Sequence, residues 1–296
     1  MLPQITILDG GMGGELIRRG SASRTELWSA RALLEAPEDV LAVHRDYIAA
    51  GARLIITNTY STIPSYLGKV GLEARYVELT DLGGRLARQA ADAAAASGCV
   101  VQVAGSLPPL AESYRADMVP ADEIAEPIYR ELVQALLPHV DLFICETMSS
   151  AREAANAVTA ASTYGQNKPV YVSWTLDERP GHGLRSGESL DEALAALTPF
   201  NPAALLFNCT SPEAIVVALE EVRVRDTRPL GAYPNLLHIP QGWTLDDTSV
   251  QSGRREMSLD EYVGFARTFV KAGATLVGGC CGIGPEYIRA LARAAL

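Results

Sequence analysis

Two adjacent cysteines near the end of the chain point most directly to chemistry. Cys280 and Cys281 follow two glycines and the apolar run Ala274-Thr275-Leu276-Val277, which predicts a short buried strand. A disulfide between neighbouring cysteines would close a strained ring, and a reducing compartment would not keep it oxidised. We therefore interpret the pair as two thiolate ligands of a metal and expect a third ligand from elsewhere in the chain.

Cys209 is the candidate for that third ligand. It lies at the end of another apolar run, just as Cys280 and Cys281 follow theirs. Three thiolates at about 2.3 Å from the metal are typical of Zn²⁺, and an open fourth position is typical of a catalytic site. Soft sulfur ligands also favour zinc over magnesium or calcium. The alternative is that each cysteine is a small buried apolar residue, the interpretation adopted for Cys99 and Cys145.

Two carboxylates and a pair of glycines occupy similar positions. Asp9 ends the first apolar run, and Glu146 lies near the end of the fourth. Either carboxylate could instead cap the helix that follows it. As functional groups, the two acceptors would suit a cationic α-amino group, and the backbone amides of Gly10 and Gly11 could receive a carboxylate. Together they predict a site for an amino acid zwitterion beside the zinc.

Eight apolar runs that alternate with helical patterns must position these residues. The runs cover residues 5–9, 53–60, 100–107, 142–147, 170–176, 204–210, 229–235 and 274–282. Such alternation predicts an α/β protein with a parallel sheet, and eight units without a break predict a (β/α)₈ TIM barrel, one domain over residues 1–296. The C-terminal strand ends would bring the candidate residues to one rim. A doubly wound open sheet is the competing architecture, but Asp9-Gly10-Gly11-Met12-Gly13-Gly14 matches a dinucleotide fingerprint only weakly.

Composition narrows the classes of partner. The 296 residues are 48% hydrophobic and 20% charged, as in ordinary soluble globular proteins. A net charge of −10 argues against nucleic acid or an anionic membrane as a partner. The apolar runs fall short of the ~20 residues that a membrane span needs, and the first residues lack the pattern of a signal peptide. We expect a cytoplasmic protein with reduced thiols and small-molecule substrates, either a monomer or a homo-oligomer.

Eight short motifs, taken in chain order from about residue 5 to 295, resemble the homocysteine S-methyltransferase family. The combination of Asn208-Cys209 with Gly278-Gly279-Cys280-Cys281-Gly282 is the specific part of the resemblance. The other six are Asp9-Gly10-Gly11-Met12 with Glu15-Leu16, Leu27-Trp28-Ser29-Ala30, Thr57-Asn58-Thr59-Tyr60, Ala104-Gly105-Ser106-Leu107-Pro108-Pro109, Cys145-Glu146-Thr147 and Tyr233-Pro234-Asn235.

This resemblance implies a zinc-bearing barrel that methylates homocysteine to methionine. The implied zinc ligands, which are also the catalytic residues, are Cys209, Cys280 and Cys281. The implied homocysteine-binding residues are Asp9, Gly10, Gly11, Thr59 and Glu146. The chain length and the regions around Trp28 and Tyr233 are similar to members that use S-methylmethionine or S-adenosylmethionine, although those members commonly carry Ala at the position of Gly11.

The implied chemistry is methylation of a thiolate. A zinc-coordinated thiol loses its proton, so homocysteine at the open position would be a nucleophilic thiolate at neutral pH. A sulfonium or quaternary ammonium donor is activated for direct displacement and would be received by aromatic faces. The candidate aromatic residues are Trp28, Tyr60, Tyr114 and Trp243. The loop over residues 237–257 would lie over the mouth as a candidate lid.

Three alternatives stay open at this point. The methyl donor could be betaine or another onium compound. The chain could instead be a zinc-free barrel lyase or aldolase with Asp9 and Glu146 as acid and base, although Lys69, Lys168 and Lys271 fall in predicted loops or helices, where a Schiff-base lysine is not expected. It could also be a non-catalytic module that binds an amino acid or a sulfonium compound.

Overall fold

A computed structural model describes residues 5–22, 27–240, 242–244, 253–254, 256–294 and 296. Its central feature is a sheet of eight parallel strands. They are β1 (Thr6–Ile7), β2 (Leu54–Ile56), β3 (Gln102–Leu107), β4 (Leu142–Met148), β5 (Val170–Trp174), β6 (Ala204–Asn208), β7 (Leu230–Tyr233) and β8 (Ala274–Val277). Neighbouring strands follow the order β1-β8-β7-β6-β5-β4-β3-β2.

The sheet closes on itself between its first two strands. Leu8 and Leu54 form a parallel bridge, and the backbone N–H of Asp9 donates to the Leu54 carbonyl at 3.0 Å. Arg53 N donates to the Ile7 carbonyl at 2.8 Å on the other side of the bridge. These bonds join β1 to β2, so the predicted single-domain (β/α)₈ barrel is confirmed.

Helices surround the barrel on its outer face. They are α1 (Met12–Arg19), α2 (Ala30–Glu35), α3 (Pro37–Ala50), α4 (Pro64–Leu67), α5 (Tyr76–Ala95), α6 (Asp122–Leu136), α7 (Ala151–Tyr164), α8 (Leu190–Ala196), α9 (Pro212–Arg223), α10 (Leu259–Lys271) and α11 (Pro285–Arg293), with 3₁₀ turns at Gly68–Val70, Glu73–Arg75 and Ala116–Met118. None of the helices in this described part of the chain combines the length and apolar character needed to cross a membrane.

Serine side chains fix where several helices begin. Ser150 and Ser211 accept hydrogen bonds from the backbone N–H groups of Glu153 and Ala214, as their sequence positions predict. α3 begins differently, because its N-cap residue, Ala36, has no side-chain oxygen to offer. Pro37 instead occupies the first turn of α3, where its missing N–H costs nothing.

Two apolar layers hold the barrel together. The interior is filled by side chains that point inward from successive strands: Leu8, Leu54, Ala104, Leu142, Ile144, Ala204, Leu206, Tyr233 and Leu276. A larger layer lies between the strands and the helices and includes Trp174 and Phe207. Cys145 is fully buried in this outer layer, as expected, whereas Cys99 is only partly buried and packs against it.

Most strands are shorter than the apolar runs that predicted them. The chain leaves the strand conformation at the C-terminal rim, where its backbone turns to build loops over the mouth. Beyond β7, Leu237–His238 pairs antiparallel with Gly253–Arg254 in a two-stranded ribbon. The candidate lid over residues 237–257 falls in part outside the described residues, so its role stays a prediction.

Candidate metal centre and active site

Three cysteines meet at the C-terminal rim of the barrel. Cys209 directly follows β6, while Cys280 and Cys281 lie just beyond β8. The Sγ atom of Cys209 is 2.7 Å from that of Cys280 and 3.8 Å from that of Cys281. All three sulfur atoms lie within 4.8 Å of one another. The structure therefore brings together the three residues that the sequence singles out as metal ligands.

Backbone hydrogen bonds to the strand between them place these cysteines. Pro234, after β7, accepts a bond from Cys280 N at 2.8 Å, and the carbonyl of Cys281 accepts one from Leu236 N at 2.8 Å. On the other side, Cys209 N donates to the Tyr233 carbonyl at 3.4 Å. The β7 extension thus connects both cysteine-bearing segments and sets their spacing.

Cys209 adopts a left-handed backbone conformation with a φ of 52°. A non-glycine residue pays for this conformation sterically, and it persists only where its surroundings hold it. Thr147, at the end of β4, has a similar φ of 59°. Asn208 connects the two: its Oδ1 accepts from Thr147 N at 3.0 Å, and its Nδ2 donates to Thr147 Oγ1 at 2.8 Å. Strained backbone at the rim is thereby secured by one buried amide.

The three thiols suit a soft metal. Ligands about 2.3 Å from a tetrahedral centre lie about 3.8 Å from each other. The Sγ atoms of Cys209 and Cys281 have this separation, whereas those of Cys209 and Cys280, at 2.7 Å, would have to move apart to bind one ion. Hydrogen bonds from the other two thiols hold the pKa of Cys281 well below its ordinary value, while the pKa of Cys280 is raised well above its own. Thiolate is the form in which cysteine binds metal.

Two buried carboxyl groups lie at the same end of the barrel. Asp9 is 3% exposed, and its Oδ2 accepts a hydrogen bond from Ile56 N at 2.9 Å. Glu146 accepts from Ser106 Oγ at 2.5 Å and from Tyr233 Oη at 3.4 Å. Burial raises the pKa of Asp9 well above its usual range and that of Glu146 to about 7. A cation placed between them would favour their ionised forms.

The glycines next to Asp9 allow close approach to the cysteines. A Cβ atom on Gly11 would lie 2.6 Å from the Cys280 carbonyl oxygen, and one on Gly10 would lie 2.3 Å from the Ile283 carbonyl oxygen. The amide of Gly11 donates to Ile283 O at 2.9 Å, so it is already engaged within the chain. Gly11 is also the N-cap of α1, and the first amides of a helix have no acceptor within that helix.

Thr59 is fully buried beneath the rim. Its Oγ1 hydrogen-bonds to Thr57 Oγ1 at 2.8 Å and donates to the Ser106 carbonyl at 3.1 Å. The hydroxyl therefore joins the segment after β2 to Ser106 of β3, whose side chain bonds to Glu146. A direct role of Thr59 in binding homocysteine stays a prediction, as do the roles of Gly10 and Gly11.

Comparison with known proteins identifies the family. The family model described as Homocysteine S-methyltransferase matches residues 6–295. The chain belongs to the homocysteine S-methyltransferase family. Homocysteine S-methyltransferase of Escherichia coli (strain K12) is 33% identical over 97% of this chain and 94% of its own length. Homocysteine S-methyltransferase YbgG of Bacillus subtilis (strain 168) is 30% identical over 97% and 93%.

A solved structure of the family supports the fold. The homocysteine methyltransferase MmuM from Escherichia coli, in a metallated form, is similar with a TM-score of 0.83 and 31% identity, over 98% of this chain and 96% of that one. The barrel formed by the described residues is therefore the fold that this family member shares with MmuM.

Loops from three strands cover the cysteine cluster. Tyr114, in the loop after β3, donates from its hydroxyl to Cys209 Sγ at 3.2 Å and has a φ of 65°. Its ring meets Trp243 edge-on at 5.6 Å, and the guanidinium of Arg185 lies 5.2 Å from the ring centroid. One face of Tyr114, a candidate for receiving a cationic donor, is therefore already covered by a cation of the chain.

Several residues at the C-terminal rim were not predicted from the sequence to belong to the site. Ser106 and Ser173 sit at inward positions of β3 and β5 and bond to Glu146 and Asn208, respectively. Their placement could have been found from the two-residue period of the strands, since polar residues at inward positions near a rim face the site. Arg185 carries no such signal, because it lies in an irregular loop.

Proposed function

We propose that this chain binds Zn²⁺ through Cys209, Cys280 and Cys281 and transfers a methyl group from a sulfonium donor to homocysteine, which yields methionine. The proposed donor is S-methylmethionine or S-adenosylmethionine. The observation that carries the proposal is the convergence of three thiols, within 4.8 Å of one another, at the barrel end that also holds the buried carboxyls of Asp9 and Glu146. A site for a sulfur atom and a site for an ammonium group thus share one rim.

In this proposal Asp9 and Glu146 bind the α-amino group of homocysteine. Burial raises the pKa of each carboxyl and so disfavours its ionised form. A bound ammonium group would favour the ionised form again. The Ser106 hydroxyl and the Ile56 amide hold one oxygen of each carboxyl in place. The other Asp9 oxygen, and the Glu146 oxygen that accepts only the 3.4 Å bond from Tyr233 Oη, are proposed to accept from the ammonium group. The Gly10 and Gly11 region is proposed to receive the substrate's carboxylate.

Bound zinc would supply a homocysteine sulfur that is deprotonated at neutral pH. The sulfur attacks the donor's methyl carbon, a new S–C bond forms, and the old C–S bond breaks with its electron pair on the departing sulfur. The sulfonium leaves as a neutral thioether, so no protein general base is needed in this step. The chain's contribution is alignment, which can be worth up to ~7–11 kcal/mol in well-oriented reactions.

Aromatic residues would hold the cationic donor. Trp28 packs over Gly13, where a Cβ atom would lie only 1.8 Å from the indole Nε1, so glycine is required for this approach. Tyr60 is held by a 2.7 Å hydrogen bond between its hydroxyl and Ser113 Oγ. We propose these two rings, together with the unshared surfaces of Tyr114 and Trp243, as the cation-accepting wall. We also propose a cytoplasmic location, where the thiols would stay reduced.

The lyase or aldolase alternative is disfavoured by the positions of the lysines. Lys168 donates to the Val140 carbonyl, which precedes β4, and Lys271 lies in the last turn of α10. Both are at the end of the barrel opposite the cysteines. Lys69 pairs with Glu112 at 2.9 Å on the surface. A Schiff-base mechanism at the rim would therefore lack its nucleophile.

The test is methionine formation by the purified, reduced protein after its zinc content has been measured. S-methylmethionine, S-adenosylmethionine, betaine, dimethylsulfoniopropionate and methyltetrahydrofolate are offered separately with homocysteine. About one zinc per chain with turnover on a sulfonium donor is the expected result. Turnover on betaine alone would show that the donor is a quaternary ammonium compound and not a sulfonium compound. A folded protein that takes up no zinc would contradict the proposed zinc site. A zinc-containing protein that turns over none of the donors would favour a non-catalytic binding module.

A further inference from the structure

Arg185 belongs to a group of three loop side chains, Tyr114, Arg185 and Trp243, that we call the roof of the cysteine cluster. It lies in the loop after β5, and its backbone N–H donates to the Thr175 carbonyl at 3.4 Å. The side chain is only 7% exposed and reaches across to the loop after β7, where Nη1 donates to the Ile239 carbonyl at 2.9 Å. Its guanidinium also lies over Tyr114, the residue that hydrogen-bonds to Cys209.

One edge of this guanidinium is only half used. Nη2 donates to Oε1 of Glu178 at 3.0 Å, whereas the neighbouring Nε–H is buried and has no hydrogen-bond partner among the described residues. A carboxylate that binds an arginine in the two-pronged manner accepts from two such N–H groups at once. A buried donor without an acceptor is costly, so this edge is ready for a second oxygen.

Glu178 does not depend on Arg185 alone. Its Oε1 also accepts from the backbone N–H of Ile239 at 3.3 Å, and its Oε2 lies 3.8 Å from Nδ1 of His238. If a ligand carboxylate took the Nε–Nη2 edge, Glu178 would keep these contacts. Displacement of Arg185 from Glu178 would therefore leave this carboxylate its backbone hydrogen bond from Ile239, while the arginine would pair with the ligand carboxylate.

We propose that Arg185 binds the carboxylate of the methyl donor, so that the donor is an onium compound that carries a carboxylate. Tyr114 separates Arg185 from Cys209, and a donor lying along it would present its methyl group toward the acceptor sulfur and its carboxylate toward the guanidinium. Asp9 and Glu146 are both acidic and suit the amino end of homocysteine, which leaves Arg185 for the other substrate. The inference rests on the proposed function and deepens it.

The test compares S-methylmethionine with its methyl ester in wild type and in Arg185→Gln. In wild type the ester should show a kcat/KM about 10- to 100-fold lower than the acid, the range of one charge-assisted pair. In Arg185→Gln the acid should fall to the level of the ester, while the homocysteine KM and the zinc content stay unchanged. Arg185→Lys, which keeps the charge, should retain part of the preference.

Arg223→Gln is the matched control. Arg223 also has a buried Nε without a partner in the described residues, and its Nη atoms donate to the carbonyls of Asp226 and Arg228. It ends α9, away from the rim, so its loss should lower stability without changing the acid-to-ester ratio. If Arg185→Gln behaves like this control, or raises the homocysteine KM instead, the inference is wrong.

The turnover assay and a calorimetric titration of S-methylmethionine into zinc-loaded protein together separate the two proposals. In the turnover assay, a wild-type protein that methylates homocysteine with none of the donors would contradict the proposed function. An Arg185→Gln protein that binds the acid as tightly as wild type does would contradict the role of Arg185 alone. Because this measurement needs no turnover, it tests the arginine even in a variant that is too slow to assay.

Discussion

Asn208 holds Thr147 by both ends of its side-chain amide, with Oδ1 accepting from the Thr147 backbone at 3.0 Å and Nδ2 donating to its hydroxyl at 2.8 Å. The next residue after Asn208 is the metal-ligand candidate Cys209, and the residue before Thr147 is the carboxylate Glu146. Both Thr147 and Cys209 have positive φ values. One amide therefore maintains the strained backbone on the metal side and on the substrate side of the rim.

Replacement of Asn208 by Ala should weaken both sides together. It leaves the buried Thr147 N–H without its acceptor, which costs about 1–3 kcal/mol, and it frees Cys209 from its neighbour's anchor. We expect zinc affinity to fall about 10- to 100-fold, as for other residues that orient metal ligands. Urea unfolding and chelator competition measure the two effects. Asn156→Ala, which removes one exposed bond to Asp122, is the control and should change neither quantity.

Cys280→Ser should abolish zinc binding and methyl transfer together, because the cluster would keep only two thiolates. Cys99→Ser is the control, since Cys99 packs against the outer core and is not at the rim. Chelation of zinc from the wild type should lower the Tm reversibly, because a ligand at about 1,000 times its Kd stabilises a protein by about 4 kcal/mol. Methyl transfer that survives in zinc-free Cys280→Ser would contradict the proposed mechanism.

Two buried glutamates with similar pKa values should respond differently to pH. Burial raises the pKa of both Glu146 and Glu153 to about 7. Because the folded-state pKa lies above the ordinary value, each group contributes most stability at low pH, and that contribution is lost as the pH rises through about 7. Glu153, which accepts from Ser149 away from the cysteines, should affect only this pH dependence of stability.

Glu146 should in addition control substrate binding. Its ionised form is the one that would accept the ammonium group, so the homocysteine KM should fall between about pH 6 and 8. Glu146→Gln should raise the KM and flatten this dependence with zinc retained, whereas Glu153→Gln should leave the KM profile as in wild type. Steady-state kinetics over this pH range distinguish the two. Loss of zinc from Glu146→Gln would instead assign the residue to the metal site.

Tyr114→Phe should alter the metal centre without displacing the roof. The change removes the hydroxyl that donates to Cys209 Sγ but keeps the ring that contacts Trp243 and Arg185. We expect about a 10-fold loss of metal affinity, since the thiolate loses a supporting hydrogen bond. A shift of the thiolate-to-metal band in the Co²⁺-substituted protein would report this directly. An unchanged band and affinity would limit Tyr114 to packing.

The barrel and the cysteine cluster could be predicted because both follow from periodic features. Apolar runs mark the strands, and strand ends share one rim, so Cys209 and Cys280 had to approach each other. The same reasoning places Asn208 at the rim, but it predicts neither the bonds of Asn208 to Thr147 nor the positions of Tyr114 and Arg185. The Tyr114–Cys209 contact spans 95 residues, and the Asn208–Thr147 contact spans 61. These contacts depend on irregular loops and on left-handed backbone at non-glycine residues. Neither feature can be predicted from the residue types in the sequence.

Asp9 lies where the barrel closes, and this links assembly of the fold to recognition of the substrate. Its N–H donates to Leu54 O, its carbonyl accepts from Gly279 N, and its carboxylate caps Ile56 N. The residue proposed to bind homocysteine thus also hydrogen-bonds the end of the first strand to both neighbouring strands. Substitution of Asp9 would keep the two backbone bonds but would remove the bond between its carboxylate and Ile56 N, so a change of acceptor specificity at this position would also remove one contact of the seam. New acceptors are therefore more readily gained by changes at Glu146, whose strand has full-length neighbours on both sides.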